Sequence, residues 1–347
     1  MLSDHRIAGA WWRRIALATV AAVGLATIVG SGGGGDEPPQ CSFFSDICNP
    51  IVGEPQPPAA SIYPTRLTAQ AGTNATFTAQ TLGVDTPRFQ WQRSADGGVN
   101  FVDIAGATAA AYTLSPAQLA DDGAVFRVEL RASGNSTVLA TSHGGTLLTS
   151  SMPAVNFVDG EFDPTDWSTS AITEPAQGGP THDEDRSAAG GLPGAYRHMV
   201  HTMTAGPSSL RVFNTKASAV YDPQALGAIH AIDYSEDCNR LSATSRAFDV
   251  LSYPMIEQGG RRYASIRSRG CLALWVNNFG QLPSLGATDF AQVGGPACGA
   301  GESCPDFSAR GAPLRFGFER RVGLQAGVAA GAIEHGIDNW KVSVWRP

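Results

Sequence analysis

The chain has 347 residues, with 24 Lys and Arg against 31 Asp and Glu and a net charge of −7. No cluster of basic residues follows the first fourteen positions, so phosphate backbones are repelled and nucleic acid is a poor partner. Forty glycines, 22 prolines and only 16% charged residues suit many short strands joined by turns.

The N-terminus carries Arg6, Arg13 and Arg14 against one acid, Asp4, and then sixteen uncharged residues, "IALATVAAVGLATIVG". As a helix that run reaches about 24 Å, short of a hydrocarbon core of about 30 Å. A secretory signal over residues 1–31 is expected, with no permanent membrane span. No Ala-x-Ala site follows the apolar run, which keeps an uncleaved anchor as the alternative. Ile28-Val29-Gly30-Ser31 with its glycine run resembles the lipobox and tether of bacterial lipoproteins. Maturation of that family attaches diacylglycerol to a thiol, and Ser31 offers only a hydroxyl. The expected address is therefore periplasmic or extracellular, in a bacterial export system. Removing the leader makes the chain more acidic still.

Residues 32–58 form a Gly-rich and then Pro-rich linker, flexible first and stiffer later. All six cysteines lie beyond the leader, and an even count in an exported chain favours disulfides. Spacing suggests Cys41–Cys48 and Cys298–Cys304 as local loops, leaving Cys238 with Cys271. A metal site on these cysteines has little support, since there is no C-x2-C pair and no histidine within five residues of any of them.

Over residues 59–149, "ATFTAQTL", "RFQWQRS", "AYTLSP" and "AVFRVELRAS" alternate apolar and polar residues between turns. This period of two predicts a half-buried β-sandwich, with at most one helical turn at 114–122. The segment resembles bacterial immunoglobulin-like domains of the I-set type. "GTNATFTA" matches strand B, "FQWQRSADGG" strand C with a buried Trp91, and "LADDGAVFRVEL" the turn into strand F. The resemblance puts Phe126 at the tyrosine-corner position, without its hydroxyl. It puts Ala79 and Val128 where the inter-sheet disulfide often stands, so packing on Trp91 must hold the core. A fold of this kind says almost nothing about function.

Residues 153–347 are expected to form a larger, second all-β domain. Candidate strands run through "AYRHMVHTM", "SLRVFNT", "ASAVYD", "GAIHAIDYS", "RAFDVLSYPMIEQ", "RYASIRS", "CLALWVNNF", "DFAQV", "LRFGFER" and "DNWKVSVW". No long stretch shows the 3.6-residue helical period, and about ten strands with long loops fit a two-sheet jelly roll. The opening "VDGEFDPTDWS" and the closing "GIDNWKVSV" resemble the ends of galactose-binding-like jelly-roll modules, which include carbohydrate-binding modules. That resemblance implies that the first and last strands are neighbours, with Phe162 and Ile337 in adjacent rows. It also implies a structural calcium held by Asp163 and Asp338, with Asn339 in place of a second closing acid. Read from the residues alone, both aspartates fit ordinary turn chemistry beside Gly, Pro or Asn.

The polar run 178–194, "GGPTHDEDRSAAGGLPG", reads as a solvated acidic loop. His198 and His201 in "RHMVH" would point to opposite faces of a strand and so cannot share an ion. Carboxylates for glycoside hydrolysis exist in Asp222, Asp233, Glu236, Asp237 and Glu257, but acids at strand ends are commonly solvated. Sugar binding needs exposed rings with polar neighbours. Trp275 with Asn277 and Asn278 has that chemistry, and Tyr253, Tyr263 and Arg262 are candidates to join it. Trp340 and Trp345 fit packing. The expectation is an exported, non-catalytic binding protein for a polysaccharide or cell-surface glycan, or an adhesive one, with the first domain as spacer. The alternatives are a polysaccharide hydrolase or lyase, and an envelope structural protein.

Overall fold

The computed structural model describes residues 57–347 apart from 85, 134–135, 176, 246–247, 276–280, 297 and 300–303. The expected leader, the linker up to residue 56 with Cys41 and Cys48, and Asn277 and Asn278 lie outside the described residues. The fold is all-β: an immunoglobulin-like sandwich followed by a larger sandwich of the jelly-roll kind.

The first sandwich contains β1 (Ala59–Tyr63), β2 (Arg66–Gln70), β3 (Ala75–Leu82), β4 (Arg88–Ser94), β5 (Val102–Asp103), β6 (Ala111–Leu114), β7 (Val125–Arg131), β8 (Val138–Thr141) and β9 (Gly145–Ser150). One sheet runs β1-β3-β6; the other runs β2-β9-β7-β4-β5, with β8 also on β7. Strand β2 lies parallel to β9, so the first edge of the chain switches sheets between Tyr63 and Arg66. Alternation buries Phe77, Trp91, Phe126, Val128 and Leu147 between the sheets, while Ala79 packs partly buried against them. Trp91 donates its indole N–H to Ala109 O at 2.9 Å, and Phe126 stacks on Phe77 at 5.2 Å. Phe126 lacks a hydroxyl to lock the corner. Instead Arg93 reaches Asp121 at 2.6 Å, which ties β4 to the single 3-10 turn Leu119–Asp121.

The second sandwich contains β10 (Val155–Asp159), β11 (Trp167–Glu174), β12 (Thr181–Gly191), β13 (Gly194–Met203), β14 (Ser208–Tyr221), β15 (Ala231–Ala243), β16 (Leu251–Gln258), β17 (Arg261–Ser265), β18 (Arg269–Gly270), β19 (Leu282–Leu285), β20 (Phe290–Gln292), β21 (Leu314–Leu324) and β22 (Gly331–Trp345). The front sheet is β12-β13-β22-β15-β19, with β10 also on β22. The back sheet is β11-β14-β21-β16-β17-β20, with β18 also on β16. Opening and closing segments pair as expected: β10 runs antiparallel to β22, from Val155 opposite Val344 to Asp159 opposite Trp340. Phe162 follows that strand in a left-handed turn (φ 50°) and enters the same core as Ile337.

Two apolar clusters fill the space between these sheets. The larger is built around Phe162, Trp167, Phe318 and Trp340, whose rings meet at 5.3–5.5 Å. The smaller gathers Met203, Leu210, Val212, Phe248, Val322 and Ile333 around Cys238 and Cys271. On the outer face of the back sheet, Arg211 and Arg262 stack over Phe213 and Arg321 over Tyr253, so their stems cover apolar surface while their charges stay near water.

Two segments differ from expectation. The run 178–194 is largely strand: β12 pairs antiparallel with β13, with His182, Glu184 and Arg186 inward of the more exposed Asp183 and Asp185. Its alternation is that of an edge strand, although its composition is that of a loop. The described part of "CLALWVNNF", Cys271–Trp275, is not a strand; only Leu272 forms an isolated bridge, to Asn239.

Candidate functional site

The site is built on the outer face of the front sheet. Along β13, alternation turns Ala195, Arg197, Met199 and His201 inward and leaves Tyr196 and His198 part-exposed on the other face. His198 and His201 therefore do point to opposite faces. Trp275 lies across Tyr196 edge-on, with centroids 5.4 Å apart and planes at 72°. Its indole N–H donates to Gly190 O at 2.8 Å, which fixes the ring over β12, β13 and β22. Gly336 of β22 permits this approach, because a Cβ there would stand 2.6 Å from the Tyr196 ring and 3.0 Å from that of Trp275.

Beside the two rings, His198 bridges two acids: Nδ1 is 2.9 Å from Asp185 and Nε2 is 2.8 Å from Glu334. Ser242 donates its hydroxyl to the other Glu334 oxygen at 2.8 Å. The Ser242 hydroxyl, and then His198, hold the Glu334 carboxyl below its usual range, so it is an anionic acceptor at neutral pH. The result is a half-exposed indole and a phenol next to an ordered row of hydrogen-bonding groups. Of these residues the sequence reading named Trp275 for binding. Tyr196, His198 and Glu334, which the structure sets beside it, were not among the candidates, although the two-residue alternation of "AYRHMVH" marks Tyr196 and His198 as one outward pair.

The other expected ligand residues lie elsewhere. Tyr263 is in the core cluster of the second sandwich, 3% exposed, so its ring offers no stacking surface. Arg262 lies on the back sheet, donating to Glu257 at 2.9 Å in a groove of about 530 Å³ that also holds Arg261 and Arg315. The structure thus separates Arg262 and Tyr263 from Trp275, because β17 belongs to the opposite sheet.

The two aspartates of the implied calcium site have different surroundings. Exposed Asp163 accepts from the amide and hydroxyl of Thr165 at 2.9 and 2.8 Å, a local turn. Asp338 is fully buried and accepts from the amides of Leu192, at 2.5 Å, and Asn339, at 2.6 Å. Asn339 adopts a left-handed conformation (φ 48°), and the β15–β22 register slips there, so that Asp237 stands opposite Asp338. Burial, and then repulsion from Asp237 and Glu161, raises the Asp338 carboxyl above its usual range. Asn339 Nδ2 donates to both Leu192 O and Asp237. In the opening segment the structural acid is Asp159, which accepts from Lys216, at 2.5 Å, and from the Trp167 indole at 2.9 Å.

The acids considered for hydrolysis are held in structural roles. Asp222 caps the short helix Pro223–Leu226, Asp233 accepts from Ser284 N and the Trp345 indole, and Glu257 pairs with Arg262. Glu236 is buried against Arg320 at 2.8 Å and accepts from the Tyr234 hydroxyl. Disulfides join Cys238 to Cys271 and Cys298 to Cys304. No helix among the described residues is long and apolar enough to cross a membrane.

Residues 60–148 match a family model described as a domain of unknown function (DUF8696). No curated protein matches the chain. Among solved structures, one similar chain comes from the structural basis of T cell specificity and activation by the bacterial superantigen toxic shock syndrome toxin-1. It shares 16% identity over 26% of this chain and 97% of its own, with a TM-score of 0.20. Another is the N-terminal eight immunoglobulin domains of Down syndrome cell adhesion molecule, isoform 1.30.30. It shares 13% identity over 46% of this chain and 25% of that one, with a TM-score of 0.22.

Proposed function

We propose that this protein is an exported, non-catalytic glycan-binding protein, in which the immunoglobulin-like sandwich is a spacer and the second sandwich the recognition domain. The observation that carries this reading is the Trp275–Tyr196 platform: a half-exposed indole pinned by a backbone hydrogen bond, beside His198, Asp185, Glu334 and Ser242. A pyranose face stacks on such a ring while its hydroxyls bond to the polar row, and a pre-fixed ring loses little entropy on binding. Asp185 and Glu334 favour neutral or amino-bearing sugars and repel uronic acids. The second sandwich further holds a structural calcium at Asp237 and Asp338. Two buried carboxylates, with the Leu192 carbonyl beside them, are the hard oxygen donors that ion takes, and the Asn339 amide, which now donates its N–H to Leu192 O and Asp237, would give way to it.

A glycan array with the exported chain, read alongside Trp275→Ala, tests the reading. The expected result is binding to a set of neutral or amino sugars that falls at least about tenfold in Trp275→Ala, with the melting temperature little changed. Absence of binding to every sugar, or equal binding by the variant, would overturn it.

A further inference from the structure

A groove on the outer face of the back sheet lies apart from the Trp275 platform. Its floor is one row of side chains across three strands. The register sets Glu257 of β16 opposite Arg262 of β17 on one side and Arg315 of β21 on the other. Neighbouring strands are about 4.8 Å apart, so the two arginines flank the acid. Gly259 and Gly260 alone join β16 to β17, with φ of 58° and 74°, the left-handed pair that a two-residue hairpin needs. That turn brings exposed Arg261 into the lining of the same groove. Gln258 donates to the carbonyls of Asp306 and Ala312, at 2.9 and 2.7 Å, and accepts from the Asp306 amide at 2.6 Å. The loop that supplies Pro313 to the groove is thus tied to its floor.

Three arginines face one glutamate in this space of about 530 Å³, in a chain whose net charge is −7. Glu257 accepts from Arg262 Nε at 2.9 Å, and the Arg262 guanidinium lies 4.9 Å from the centre of the Phe213 ring. Arg315 stands 3.8 Å from the other Glu257 oxygen, with 48% of its side chain exposed. Arg261 has no ion-pair partner among the described residues. One guanidinium is engaged and two are open, more positive charge than the groove itself neutralises. A concave site that concentrates cations on an acidic chain selects an anion. The lining also has apolar surface, from Val220, Val293 and Pro313. A bare phosphate leaves that surface unused, whereas the C–H face of a sugar ring covers it. A planar anionic bilayer would meet the negative charge of the rest of the chain before its headgroups reached the part-buried Glu257–Arg262 pair.

We propose that this groove is a second binding site, for a carboxylate-bearing sugar: a uronic-acid unit of an acidic glycan. The open forks of Arg261 and Arg315 take its carboxylate, since a guanidinium matches two coplanar oxygens. The Glu257 oxygen left free by Arg262 accepts from a ring hydroxyl. The same carboxylate repels a second negative charge, which favours a uronate over a phosphate dianion. The site does not rest on the Trp275 platform, which stands on the opposite sheet beside acids that repel uronates.

The experiment titrates the full chain calorimetrically with a galacturonate oligosaccharide, and with its methyl ester as the neutral control. The acid should bind, the ester at least about tenfold more weakly, and added NaCl should weaken the acid. Arg261→Gln and Arg315→Gln should each weaken binding about tenfold and leave the melting temperature unchanged, because both side chains are exposed. Trp275→Ala should leave uronate binding intact, which separates this site from the platform for neutral sugars. No binding of the acid, equal binding of acid and ester, or full binding by the Arg261→Gln/Arg315→Gln chain would overturn the site. So would loss of uronate binding in Trp275→Ala. Inorganic phosphate that displaces the sugar on equal terms would make the groove a general oxyanion site and overturn its assignment to a sugar. Vesicles of phosphatidylglycerol held through the two arginines, with no uptake of the oligosaccharide, would overturn it in favour of a membrane surface.

Discussion

Arg320 sits in the interior of the second sandwich with no exposed surface, and its counter-charge is Glu236, 1% exposed. Tyr234 donates to the second oxygen of that carboxylate, so the acid is fully used, while the Arg320 Nε and Nη2 lack partners. Removing one member of such a pair leaves a buried charge uncompensated. Glu236→Gln should therefore cost about 3–5 kcal/mol in urea unfolding. A loss under about 1 kcal/mol would show that Arg320 finds another counter-charge. The neighbouring histidines give a pH dependence. Burial, aided by Arg320 and His182, holds His201 at about 3; burial, aided by His201, Arg320 and His198, keeps His335 well below its ordinary value. Unfolded histidines titrate near 6.5. Below about pH 6.5 the unfolded chain binds protons that the folded chain refuses, so acidification favours unfolding. The loss is about 1.4 kcal/mol per pH unit for each ring, and neither ring adds a slope above that range. Asp233, Asp249 and Asp338, raised by burial, act in the opposite sense as pH falls through their folded values. The histidine contribution is thus read by difference: His201→Leu should flatten the stability slope between about pH 6.5 and about pH 5 by about 1.4 kcal/mol per unit. Parallel slopes for the two proteins would remove it.

At the scale of elements, the bulge between β15 and β22 brings Asp237 and Asp338 together. Calcium should raise the melting temperature of the whole chain by several degrees, and Asp338→Asn should abolish that rise while losing little stability in chelator, because the change also relieves carboxylate repulsion. A melting temperature indifferent to calcium would remove the ion from this place. The same bulge marks what could be read in the sequence. The pairing of β10 with β22 was expected from the resemblance of the two end motifs to galactose-binding-like modules, which implies that the first and last strands are neighbours. The partner of Asp338 was not visible: the pairing with Asp237 depends on a register slip at Asn339, and single-sequence periodicity carries no cross-strand register. Strand β12 was hidden for another reason. Its Gly, Ser and Asp content signals a loop, yet it sits at a sheet edge, where polar strands are favoured because they resist pairing with other chains. Trp275 was legible as a candidate ring, and the structure places it part-exposed on the front sheet. Its partners Tyr196, His198 and Glu334 come from β13 and β22, and only tertiary pairing gathers them.

At the scale of the molecule, the two sandwiches hold each other by side-chain contacts as well as by the chain between them. Thr68 of β2 meets Ser284 of β19 at 2.6 Å, with both residues buried, and Arg66 reaches Asp289 at 2.7 Å. On the chain side, Ser150 and Ser151 donate to the carbonyls of Arg346 and Pro347, and His230 lies 3.1 Å from Asp122. Small hydroxyl pairs that replace water at such a contact are specific but individually weak, so their combined effect appears in cooperativity. The unmodified chain should unfold in a single calorimetric transition. Thr68→Glu would put a longer, charged side chain against Ser284, whose amide already serves Asp233, at a contact where both residues are buried. An unpaired charge at a closed contact costs several kcal/mol, about 3 or more, and opening the contact to water is the cheaper response. The single transition should then split into two, one for each sandwich, with Trp275 and its neighbours all belonging to the second. Two transitions in the unmodified chain would mean that the sandwiches are thermodynamically independent. The first sandwich would then be a flexible stalk, with the face that carries Trp275 free to turn on it.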